Sequence, residues 1–121
     1  MNRSDKELGE CILRGLADGR VTERHDVYAI GAPAYDGCAL ALGLLGAIGY
    51  DGWCEATAEH GGALYSYELT PLLNCDHDTA RMVDVLHRTY EQSAENLANA
   101  LIDGTLNQMY ARSQRELLLS L

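Results

Sequence analysis

Phenylalanine is missing from these 121 residues, and tryptophan occurs once and proline twice. An apolar core must therefore be assembled from Leu, Ala, Gly and Tyr. Lysine and arginine are absent from 56 consecutive positions, residues 25 to 80, which carry Asp26, Asp36, Asp51, Glu55, Glu59, Glu68, Asp76 and Asp78. The formal net charge is −9. A surface with so few cations repels phosphate backbones and anionic lipids, which argues against direct nucleic-acid binding and membrane docking. No apolar run reaches the roughly 18 to 20 residues that a membrane span needs. The opening MNRSDKELGE has no apolar stretch after its first charges, so no signal peptide is expected and the cytoplasm is the expected location.

Familiar chemical signatures are missing too. No glycine-rich phosphate loop follows a strand, and there is no Gly-x-Ser-x-Gly, His-Glu-x-x-His or EF-hand pattern, so kinase, nucleotidase and dehydrogenase chemistry is disfavoured. Cys11, Cys38, Cys54 and Cys75 lack the spacing of a disulfide framework and read as free thiols. Cys54, His60, Cys75 and His77 carry zinc-type donors but not the short Cys-x2-4-Cys knuckle, so neither a metal nor any cofactor is expected.

What is present is mostly helical pattern. Ser4 and Glu7 form a capping box ahead of a stripe at Leu8, Cys11, Ile12 and Leu16, with Gly19 as the stop. Residues 26–30 read as a short strand. Cys38 to Gly49 is then a twelve-residue apolar run, capped by Asp36 and ended by Gly49. A helix apolar on every face must be enclosed by other elements. Gly43, Gly46 and Ala47 remove bulk where a neighbouring backbone approaches. Further helical turns follow over 53–60 and stop at Gly61 and Gly62. Alternation over 64–69 predicts a second strand with Tyr65, Tyr67 and Leu69 on one face. A long helix is predicted from Thr79 to Asp103, with Val83, Leu86, Tyr90, Ala94, Leu97 and Leu101 in one stripe. Gly104 breaks it, and a Thr105–Gln108 capping box starts a last helix ending in ELLLSL.

These elements define a single domain over 1–121, mostly α with some β (α+β). A buried central helix is packed by about four others beside a small two-stranded antiparallel sheet. Residues 4–104 form the core, and 105–121 a C-terminal helix able to serve as a homodimer element.

Three functional readings follow. The first is a small acidic binding protein without catalysis, an inhibitor or adaptor docking through Asp51, Glu55, Glu59, Asp76 and Asp78 on a basic protein surface, including one built to hold nucleic acid. The second is a cysteine hydrolase. Asp36-Gly37-Cys38 before a buried helix locally resembles the papain-like arrangement, which implies Cys38 as nucleophile, His60 as base and Asn74 or Asp76 as orienting group. Only two strands are available to carry the base, and free cysteine is commonly a buried small residue, so the thiol is read first as packing. The third is a structural assembly subunit or a small-molecule-sequestering protein with a pocket of Trp53, Tyr65 and Tyr67.

The segment Cys38-Ala-Leu-Ala-Leu, with Asn74-Cys-Asp76 opening a helix downstream, resembles a group of small uncharacterised bacterial and phage proteins. That group is built on a Cys-Ala-Leu-Gly helix and an Asn-Asp helix start. The likeness spans about residues 5 to 100; here the glycine falls two positions late, at Gly43, and Asn and Asp are separated. It implies a compact helical domain from a phage or mobile element, and in that case the host cytoplasm as location.

Overall fold

Ser4 accepts from the Glu7 amide while Glu7 reaches back to the Ser4 amide, and this box starts α1 (Asp5–Asp18). Gly19, left-handed at φ 76°, ends it. The computed structural model describes residues 2–121. After α1 come β1 (Thr22–Glu23), β2 (Ala29–Ile30), β3 (Asp36–Gly37), α2 (Ala39–Glu59), β4 (Ala63–Leu64), α3 (Ser66–Leu73), α4 (His77–Arg88), α5 (Ala94–Asp103) and α6 (Leu106–Leu119).

The protein is mostly helical, with α2 as its buried centre: Ala39 to Leu45 are all buried, and α1, α3, α4 and α5 pack around it. Gly49 leaves the helical region (φ 83°, ψ 169°), and the chain turns there into a second stretch running to Glu59. Trp53, fully buried on that stretch, donates its indole N–H to the Ala41 carbonyl at 3.1 Å, tying the two stretches together. The closest helix approach is between α1 and α2. A Cβ on Gly15 would meet the Leu42 carbonyl oxygen, and one on Gly46 the Cys11 carbonyl oxygen. The small residues of the apolar run therefore have a packing cause, which offsets their roughly 1 kcal/mol helix penalty each.

The sheet differs from the expected pair. It has four two-residue strands in the order β1-β3-β2-β4, with β1 parallel to β3 and the other pairs antiparallel. Asp36 lies in β3 rather than capping α2, whose N-cap is Cys38. The strand expected over 64–69 is confined to Ala63–Leu64. From Ser66 the chain is helical, because Glu68 caps the Tyr65 amide and Leu69, Thr70 and Leu73 pack inward at helical spacing.

The long helix expected over 79–103 is two. Ser93 accepts from the Asn96 amide and restarts the helix, while Glu91 takes a left-handed conformation (φ 55°) in the break. The apolar stripe survives because α4 and α5 each bury their part of it: Val83 and Leu86, then Ala94, Leu97 and Leu101. Thr105 makes no side-chain cap, so the second expected box does not form. Among the described residues no helix is long and apolar enough to cross a membrane.

Candidate functional site

Cys38 sits at the N-terminus of α2, hydrogen-bonded through its backbone to Tyr28, and is 1% exposed. Burial pushes its thiol up to about 11, with the Asp84 carboxylate adding to the effect. The Ala41 and Leu40 amides at the helix start pull the other way and lose. A helix N-terminus favours a thiolate only where desolvation is small.

His60, expected as its base, ends α2. Its Nδ1–H donates to the Ala56 carbonyl at 2.8 Å and Nε2 faces Glu68 at 3.3 Å. No hydrogen bond joins His60 to Cys38 among the described residues, and the expected orienting groups are engaged elsewhere. Asn74 is the left-handed C-cap of α3, and Asp76 caps α4 by accepting from the Thr79 amide. The hydrolase constellation is not assembled. Cys11, Cys54 and Cys75 are free thiols as well, and Cys54, His60, Cys75 and His77 do not converge on a shared centre among the described residues.

The five acidic residues expected at a docking surface fall into two exposed groups. Asp51, Glu55 and Glu59 are exposed and spaced by four along the second stretch of α2, so they form one ridge. None of the three is in an ion pair among the described residues, whereas Asp18 is held by Arg20, and Asp26 and Asp36 by Arg24. Asp76 and Asp78 are exposed at the start of α4, a separate patch that also stabilises the helix terminus.

The expected aromatic pocket is not formed as one. Tyr65 and Tyr67 stack with ring centroids 6.0 Å apart and are exposed, but Trp53 is sealed inside. Tyr67 borders a cleft of about 220 Å³ with Leu40, Ser66, Thr70, Arg81 and Asp84. Tyr65 borders another, of about 290 Å³, with Tyr28 and Arg88. In the first, burial raises the Asp84 carboxyl against the lowering influence of Arg88, and its Oδ1 has no hydrogen-bond partner.

One cluster had no signal in the sequence. Glu23 on β1, His25 just beyond it and His87 near the end of α4 bring one donor atom each to within 4.8 Å of one another. His87 Nε2 and Glu23 Oε2 are 2.9 Å apart, and the same oxygen accepts from the Ala94 amide at 2.8 Å. Burial lowers the His87 imidazole, while the Glu23 hydrogen bond works the other way. Glu23-x-His25 spans only a tripeptide, and His87 lies 62 residues further on. Topology alone unites them.

No protein-family model matches the chain, and no match is found among curated proteins or solved structures.

Proposed function

We propose that this chain is a small acidic binding protein without catalysis, an inhibitor or adaptor that docks on a basic protein surface, of the kind that also holds nucleic acid. The observation that carries the reading is the unpaired ridge of Asp51, Glu55 and Glu59. Like charges at i,i+4 cost a helix about 0.2–0.5 kcal/mol per pair. No ion pair offsets that cost; Arg20, held by Asp18, acts on Asp51 only at longer range, whereas a basic partner would pair the ridge directly and speed encounter. The inaccessible thiol and the separately engaged imidazole favour this reading over the hydrolase one.

The test is affinity for the partner retained from the native host, measured for the wild type and for Glu55→Lys with Glu59→Lys. At about 8 Å in water one charge pair is worth roughly 0.5 kcal/mol. Two reversals against a single partner cation therefore cost roughly 2 kcal/mol at low salt, an approximately thirtyfold loss that fades at high salt. Equal affinities for both proteins at low salt, or wild-type binding indifferent to salt, would refute the reading.

A second reading, self-association, is favoured by α6. It buries only Leu106 and Ser113 and leaves Leu117, Leu118 and Leu119 exposed, as is Leu121 beyond its end. A second copy of α6 matches that surface in chemistry.

A further inference from the structure

The His25 side chain has its tautomer set by its surroundings. Its Nδ1 lies 2.7 Å from the His87 carbonyl oxygen, which only accepts, so Nδ1 carries the proton and Nε2 carries the lone pair. That lone pair is turned toward the Glu23 carboxylate, Nε2 to Oε2 being 3.9 Å. In a neutral imidazole these are two electron-pair donors facing each other, an arrangement that a cation between them stabilises. The His87 ring stacks on His25 with centroids 4.1 Å apart and approaches the same Oε2 through Nε2 at 2.9 Å. His87 is 0% exposed, and its Nδ1 is buried without a hydrogen-bond partner. Only Glu23 therefore holds the Nε2–H tautomer, and moving the proton to Nδ1 frees Nε2 as a ligand but leaves a buried Nδ1–H without an acceptor, a cost the metal bond has to exceed.

We propose that Glu23, His25 and His87 form a binding site for a borderline divalent cation of the zinc class, with solvent completing the coordination beside the partly exposed His25. Two imidazole nitrogens and one carboxylate oxygen suit Zn²⁺, Co²⁺ or Ni²⁺, whereas Mg²⁺ and Ca²⁺ require more oxygen donors. Zinc bonds of about 2.0–2.2 Å place donor atoms roughly 3.3 Å apart in a tetrahedron. The separations of 2.9 and 3.9 Å lie on either side of that value. Rings stacked 4.1 Å apart at 26° do not aim their in-plane lone pairs at one point, so His25, at a loop position with its side chain 39% exposed, must tilt out of the stack as it closes in.

The outer contacts are of the type that orient metal ligands: the His87 carbonyl holds the His25 N–H, and the Ala94 amide holds the Glu23 oxygen. Of the neighbouring cations, Arg24 is paired with Asp26 and Asp36, and Arg88 lies over the Tyr28 ring at 3.9 Å. Arg88 is left as the opposing charge, acting on His87.

The full chain, freed of metal by chelator, is titrated with CoCl₂ and then with ZnCl₂, with MgCl₂ as control. The expected result is saturation with one equivalent of cobalt, giving visible bands without the near-ultraviolet charge-transfer bands of a thiolate, and displacement by zinc. His25→Ala removes a partly exposed ligand together with its stack on His87 and its hydrogen bond to the His87 carbonyl, so its binding is measured at a temperature where circular dichroism shows the metal-free variant folded. It and Glu23→Gln should each weaken zinc binding at least about tenfold. Absence of saturable cobalt binding, thiolate bands placing the cation on the cysteines, or wild-type zinc affinity in His25→Ala would each overturn the proposal.

Discussion

Replacing Gly46 by alanine adds one methyl group where α1 and α2 cross. Built on this backbone, the new Cβ lies 1.8 Å from the Cys11 carbonyl oxygen and 2.9 Å from the Gly15 amide nitrogen. Real Cβ contacts are essentially never shorter than 3.0 Å, so the helices must part by at least the difference, 1.2 Å. Both obstructing atoms belong to a helix backbone, so no rotamer change relieves the clash. A gap of 0.5–1 Å already forfeits about a quarter to a half of each dispersion contact, and here it opens along Leu8, Ile12, Leu42 and Leu45. Overpacking costs about 1–3 kcal/mol where side chains can adjust, and more here. The gain in helix propensity returns about 1 kcal/mol. The net loss should be about 3 kcal/mol, or roughly 10 °C in Tm for a chain of this size. Gly43→Ala is the control, because its Cβ meets only the ends of side chains, Ile12 at 3.2 Å, Leu73 at 3.5 Å and Leu8 at 3.6 Å, and its stability should change by about 1 kcal/mol or less. Urea unfolding followed by circular dichroism reads both variants. If Gly46→Ala and Gly43→Ala unfold at the same midpoint, the backbone-to-backbone crossing is not what the glycines are for.

The buried thiol of Cys38 should resist a disulfide reagent at pH 8 in the native chain and react fully only in denaturant; labelling at native rates would restore the hydrolase reading. Because Cys38 and Cys75 are both held up to about 11, the folded chain keeps their protons while the unfolded chain releases them at lower pH. Stability should therefore fall as pH rises from about 9 toward 11, and a urea midpoint constant over that window would contradict the assignment. Asp84 is raised by burial, so its charged form is disfavoured at neutral pH. Asp84→Asn should stabilise the chain at pH 7 and lose that advantage near pH 3, whereas a destabilised variant at pH 7 would mean that the carboxylate has a partner. Leu118→Glu with Leu119→Glu should lower the mass in solution and remove any concentration dependence of the melt, provided that α6 is a self-association face; a wild-type chain that sediments as a monomer at high concentration removes that reading.

The parts of the fold legible in the sequence were those set by contacts within a few residues. The Ser4 box and the Gly19 and Gly104 stops arise from local hydrogen bonds and stand in the structure, and of the apolar run from Cys38 to Gly49 the part up to Leu45 is enclosed, whereas Ile48 is exposed. Errors entered where two local patterns compete. Tyr65, Tyr67 and Leu69 alternate as a strand would, yet Leu69, Thr70 and Leu73 also follow a helical face. The Glu68 cap and the buried helical face decide for α3. The stripe from Val83 to Leu101 has one period across two helices, so periodicity alone could not show the Ser93 restart.

The candidate sites divide along the same line. An exposed acidic ridge is legible because Asp51, Glu55 and Glu59 share one helix, where spacing fixes the face; what the spacing does not show is Arg20, brought from the end of α1 to act on Asp51. Glu23, His25 and His87 share no element. They meet because β3 holds β1 through the Thr22–Asp36 register while the ends of α4 and α5 are brought against it. A site of that kind is written in the order of strands and helices and has no consecutive spelling. The two sites also differ in what sustains them. The ridge stays charged whatever happens to the core, whereas the imidazole cluster depends on α4 ending at Thr89 and α5 restarting at Ser93. A change that fused α4 and α5 into the continuous helix their stripe implies would therefore displace the His87 carbonyl and the Ala94 amide from their partners and abolish the cluster, while leaving Asp51, Glu55 and Glu59 where they are.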